Sequence, residues 1–161
     1  VRTQTAPVAD AAEARDLQPI RIYLAEMVLV ASVSPGDERM TDILNQGGEL
    51  RVLPAGAPPW DAENWLYVRI DEAQVIVPPR HVSPPHKRQD RHRHEVRLRV
   101  GEWEITGTAH LKPGAEQDAV LLSIHPFMPL TNVTMVSTEH PWPETHEVAI
   151  VNLRHAEFVQ D

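Results

Sequence analysis

Cysteine is absent from the 161-residue chain, which excludes disulfide staples, thiolate zinc sites and a cysteine nucleophile. Positive charge is in deficit: 15 Lys and Arg stand against 23 Asp and Glu, a formal net charge of −8. Such a field repels phosphate backbones, so nucleic-acid binding is not expected. No apolar run approaches the roughly 20 residues that a membrane-spanning helix needs. The opening stretch, Val1 to Asp16, has no apolar core of signal-peptide type and reads as a solvated arm packing weakly or against a neighbour. A cytoplasmic setting is the default expectation. Catalytic signatures are missing too. There is no GxGxxG or GxxxxGK[ST] phosphate cradle. Ser123-Ile124-His125 has no glycine elbow, while Ser137, Thr138 and His140 fall in a loop pattern. Glu102 and Glu104 alternate onto one strand face, where solvent exposure accounts for them. No catalytic residue and no cofactor are therefore assigned.

What the chain does have is alternation. Short β-branched and apolar runs bounded by proline or glycine predict a mainly β fold, and helical periodicity is scarce. Ile20, Ile22 and Leu24 share one face; after a change of phase at Ala25-Glu26, Met27, Leu29, Ala31 and Val33 follow. This predicts a hairpin, or one long strand with a bulge. Residues 96–107 repeat the plan. Val96, Leu98 and Val100 precede a break at Gly101-Glu102, and Trp103, Ile105 and Gly107 come after it.

The repetition continues in order. Ile22 to Met27 lies over Leu98 to Trp103 without a gap, and Pro35-Gly36 lies over Pro113-Gly114. Ile43-Leu44 falls on Leu121-Leu122, Leu50 and Val52 on Met128 and Leu130, and Ile70 to Val75 on Leu153 to Phe158. Three consecutive segments sharing such landmarks point to an internal duplication, with one sandwich of generic alternation as the competing reading. Between the copies, Pro78-Pro79 and Pro84-Pro85 favour an extended, semi-rigid connector. The predicted organisation is an N-terminal arm at 1–17, a first small barrel at 18–78, a Pro/His/Arg-rich linker at 79–94 and a second barrel at 95–161.

The segment Arg39-Met40-Thr41-Asp42-Ile43-Leu44-Asn45, set after a Pro-Gly turn and before the apolar run Leu50 to Ala55, resembles small bacterial Sm-like β-barrel domains of unknown function. The likeness is best from Ile20 to Val77. In the second copy this segment keeps only the apolar pair, whereas the strand from Phe127 to Met135 fits the family pattern better than its counterpart. The resemblance implies two short, bent antiparallel barrels with a helix or turn near 40–46. It implies no catalytic residues, and the RNA-binding motif of Sm-like proteins has no match here.

Four residues are candidates for partner binding. Trp60 and Trp142 lie in proline-flanked loops at matching places in the two copies, where an indole either plugs its own barrel or anchors a partner. Trp65 and Trp103 read as core. Arg39 and Asp42 sit at the TDIL turn, where Thr41 or Asp42 is expected to N-cap, Ile43 and Leu44 to anchor, and Gly47-Gly48 to terminate the element. His92 and His94, one residue apart, are the only weak metal candidates; they belong either to a strand edge or to the wet end of the linker. Arg88, Arg91, Arg93, Arg97 and Arg99 around them disfavour a divalent cation. The expected function is a non-enzymatic binding or assembly module that engages a protein partner or itself. The competing class is a small-ligand or metal-dependent enzyme with its site between the barrels.

Overall fold

A computed structural model describes residues 2–3, 16–80, 92–111 and 125–159. The chain is mainly β, its strands pair antiparallel, and it divides into two compact units, Val1–Pro79 and Arg80–Asp161. Among the described residues no helix is long and apolar enough to cross a membrane.

In the first unit the strands are β1 (Arg2–Thr3), β2 (Gln18–Tyr23), β3 (Val28–Val33), β4 (Glu49–Pro54), β5 (Leu66–Arg69) and β6 (Val75–Val77), with one helix, α1 (Met40–Asn45). Strands β2 and β3 form the predicted hairpin, with Tyr23 opposite Val28 and the Leu24 N–H donating to the Met27 carbonyl over 2.9 Å. Alternation directs Ile20, Ile22, Leu29, Ala31 and Val33 into the core, while Met27 at the turn is 50% exposed. The chain then runs through β4 to β5, and β6 returns to pair with the free side of β2. Arg2 and Thr3 pair with Tyr67 and Leu66, so part of the predicted arm adds a short strand beside β5.

Helix α1 starts at Met40, with its cap two or three residues earlier than the TDIL reading expects. Arg39 is its N-cap residue, in extended conformation with no side-chain cap, so neither Thr41 nor Asp42 caps it. Met40 and Leu44 are its buried residues, one helical turn apart, and Ile43 is only half-buried. Helical spacing, rather than the adjacent apolar pair, chooses the anchors. Gly47 and Gly48 follow at φ 76° and 83°, a region open to glycine, and let the chain reverse into β4.

In the second unit the strands are β7 (His92–Val100), β8 (Trp103–Leu111), β9 (Phe127–Ser137), β10 (Glu144–Asn152) and β11 (Ala156–Phe158). His92, Arg93 and His94 thus belong to β7, opposite Leu111, His110 and Ala109, and not to the linker predicted to reach residue 94. Ladder pairing claims this basic stretch. Val100 and Trp103 flank a two-residue turn with Gly101 at φ 57°, the position where a tight hairpin needs glycine. Between Thr106–Thr134 and Thr108–Thr131 the register of β8 and β9 shifts, which leaves Gly107 opposite two residues. Asn132 there is the one non-glycine residue with positive φ (51°) among those described, as a bulge requires. The last apolar run, from Val148 to Val159, is broken after Asn152 by a 3-10 turn at Leu153–His155. The Asn152 carboxamide oxygen accepts from the Arg154 N–H at 3.1 Å and starts that turn.

The two units follow one order of strands. Leaving the two-residue β1 aside, the first four strands of each unit (β2 to β5, β7 to β10) pair successively, a one-turn 3-10 helix follows (Ile70–Glu72 or Leu153–His155), and the fifth strand (β6 or β11) pairs with the first.

Candidate interaction surface

The loop between β4 and β5 contains Pro58 and Pro59, which donate no backbone hydrogen bond and stiffen the chain. Their carbonyls are held from below. The Asn64 side-chain amide donates to the Pro58 oxygen over 3.0 Å, and the Trp65 indole N–H donates to the Pro59 oxygen over 2.9 Å. Trp65 is itself fully buried, with the Arg51 guanidinium 4.0 Å over its ring. On the far side of the loop, the Asp61 carboxylate accepts from the Glu63 N–H at 3.0 Å and starts a 3-10 turn over Ala62–Asn64. Trp60 lies between these two fixed points. Its indole is 71% exposed.

The loop between β9 and β10 reaches the same result by other contacts. Ser137, buried at the end of β9, donates to Glu102 over 3.2 Å and accepts from the Glu139 N–H at 3.1 Å. His140 stacks on buried Trp103, ring centres 5.2 Å apart and planes 9° from parallel, with its Nε2 3.9 Å from Glu102. Past this staple, Trp142 stands between Pro141 and Pro143 and is 79% exposed. Both loops therefore tie one region to a buried tryptophan and hold a second tryptophan in solvent.

Of the two sequence readings of the loop indoles, the plug does not hold: Trp60 and Trp142 stand in solvent, and Trp65 and Trp103 occupy the core. The sequence separated them only indirectly. Trp103 falls in phase with Ile105, and Trp65 precedes a strand, whereas the other two sit among prolines. The His140–Trp103 stack had no signal in spacing, because the two residues meet only once β8 and β9 have paired.

The remaining candidates lie elsewhere. Arg39 and Asp42 are both exposed at the start of α1, away from either loop in sequence. His94 is half-buried within β7, and the His92 side chain lies outside the described residues. Among the described residues no group of three or more His, Asp or Glu side chains is placed to hold a metal ion. Ser137, Glu102 and His140 do converge, but the serine donates to the carboxylate instead of to the imidazole. In a nucleophilic relay the base must receive the hydroxyl proton, with the carboxylate behind it. Here the hydroxyl, carboxylate and ring brace a loop. His110 is likewise occupied, its Nε2 lying 2.7 Å from the Thr131 hydroxyl.

No family model, no curated protein and no solved structure matches the chain.

Proposed function

We propose that the chain is a non-enzymatic protein-interaction or assembly module, built from two copies of one small Sm-like barrel, which grips a protein partner through the Trp60 and Trp142 loops. The observation that carries this reading is the pair of exposed indoles on braced loops, each between the third and fourth strands of its unit. Large exposed aromatics are costly in water and are the residue type most often found at the energetic centre of protein interfaces. Bracing also lowers the ordering cost of binding, since the loop is already held by its own hydrogen bonds.

Support for two copies comes from register. Leu50 lies opposite Val68, and their sequence counterparts Met128 and Val151 are likewise paired. Ser32 faces Leu53 as Thr108 faces Thr131. Even an isolated loop bond recurs: the Ile70 N–H donates to Gly48 over 2.9 Å, and the Leu153 N–H donates to Pro126 over 2.8 Å. Generic alternation would not reproduce that bond at matched positions. The fifth strand departs by one residue. Ile22 faces Ile76 and Leu98 faces Phe158, whereas sequence matching sets Val75 over Phe158.

The test is site-specific photo-crosslinking in cells of the source organism, with a photoreactive phenylalanine analogue at position 60 or 142 and, as a control, at exposed Val136. The expected result is a discrete protein adduct from positions 60 and 142 and none from 136. Adducts of equal yield and identity from all three positions would refute the reading.

A further inference from the structure

We propose that what these loops bind is cationic: Arg or Lys heads of a protein partner, resting on the face of Trp60 in one loop and of Trp142 in the other, each beside the carboxylates of its own loop. This rests on the reading of the loops as contact surfaces and adds the chemistry of what they contact. The argument begins with composition. From Ala55 to Asn64 there is no Lys or Arg, and the exposed groups next to Trp60 are Asp61 and Glu63. From Thr138 to Glu147 there is again no Lys or Arg, while Glu139 is exposed and Glu144 half-exposed. Glu147 carries its own cation, Arg80, at 3.0 Å, and Glu144 lies 3.5 Å from His146. Glu63 and Glu139 are exposed carboxylates, each three residues from its loop's indole.

An indole face is the strongest aromatic acceptor of a cation, and a carboxylate beside it adds Coulomb attraction. The chain itself contains the first half of this pairing in buried form, since Arg51 packs its guanidinium 4.0 Å above Trp65. Guanidinium suits such a place because its plane stacks while its edges still donate to carboxylates. Two other occupants fit less well. An anionic lipid surface would have to approach Asp61, Glu63 and Glu139 against their charge, and a nucleic acid would meet the same repulsion together with the overall charge of −8.

The experiment uses the full chain labelled with 5-fluorotryptophan, whose four fluorine signals are assigned by single Trp→Phe substitutions. It is titrated at low salt with an alternating Arg-Gly peptide, a Glu-Gly peptide, a Leu-Ser peptide of equal length, and phosphatidylglycerol vesicles. The Arg-Gly peptide is expected to shift the Trp60 and Trp142 signals while leaving Trp65 and Trp103 in place. Trp60→Ala and Trp142→Ala should each weaken its binding about two- to fivefold. Glu63→Lys with Glu139→Lys should weaken it further while all core signals remain native. Binding that leaves the Trp60 and Trp142 signals unmoved would overturn the proposal, because it would show attraction by bulk charge alone. An equal response to Glu-Gly peptide, or a response to vesicles alone, would overturn it too. If Leu-Ser peptide moves the two loop signals and Arg-Gly peptide does not, the cationic assignment falls and the contact-surface reading stands. If no peptide moves them and position 60 and 142 crosslinks are also absent, both fall.

Discussion

Gly107 shows how much a single missing methyl group can matter. A Cβ at this position would meet the Leu130 Cβ at 3.2 Å, the Thr131 carbonyl oxygen at 3.3 Å and the Val133 Cγ2 at 3.3 Å. Thr131 and Val133 lie at the bulge where two residues oppose Gly107, so an added methyl requires a backbone carbonyl and a side chain there to give by a few tenths of an ångström. Gly107→Ala is therefore expected to destabilise the second unit by about 1–3 kcal/mol, the usual range for overpacking. Urea denaturation followed by tryptophan fluorescence measures this, and an unchanged midpoint would show that the bulge is soft. Ala31, matched to Gly107 in the sequence, is buried in a ladder with no shift and keeps its methyl group. Alternation could place both residues inward. It could not reveal the bulge, which depends on how β9 meets β8.

At the scale of elements, the hairpin turns were the most legible feature, because a change of phase at Ala25-Glu26 or Gly101-Glu102 marks where inward residues switch strands. Helix α1 was legible in place but not in its anchors, since six residues give too little periodicity to tell Met40 from Ile43. The break in the last apolar run after Asn152 was not legible. The backbone bond from Leu153 to Pro126 and the Asn152 cap are tertiary and local polar contacts that apolar patterning does not record. Strand β11 pairs with β7, with Ala156, Glu157 and Phe158 opposite Val100, Arg99 and Leu98. Truncation after His155 is expected to raise amide exchange of Leu98 to Val100 by about tenfold or more, the signature of a local opening eased by over 1 kcal/mol. Native-state hydrogen exchange reads this directly. Unchanged protection in β7 would mean that β11 contributes nothing to holding it.

For the molecule as a whole, the matched register predicts matched energetics. Ile22 in β2 and Leu98 in β7 are matched in the sequence, and both are fully buried. Ile22→Ala and Leu98→Ala should each cost about 2–5 kcal/mol, as large-to-small changes in packed cores do. Exchange protection should fall chiefly within the unit that carries the change. A large loss for one substitution and none for the other would speak against equivalent cores. The loops carry the functional half of the account, and there the sequence supplied the residues but not their orientation: prolines marked Trp60 and Trp142 as loop residues, while only the bonds from Trp65 to Pro59 and the stack of His140 on Trp103 set the outer indoles in solvent. The most direct test of that half is quantitative affinity capture from a lysate of the source organism. It compares the native chain, a Trp60→Ala/Trp142→Ala double variant and a Phe158→Ala control, which removes another exposed aromatic, outside the loops. The expected result is a defined set of proteins retained by the native chain and the control and lost from the double variant, with all three chains equally folded. Retention of the same proteins at the same yield by the double variant would contradict the assignment of these loops as the binding surface.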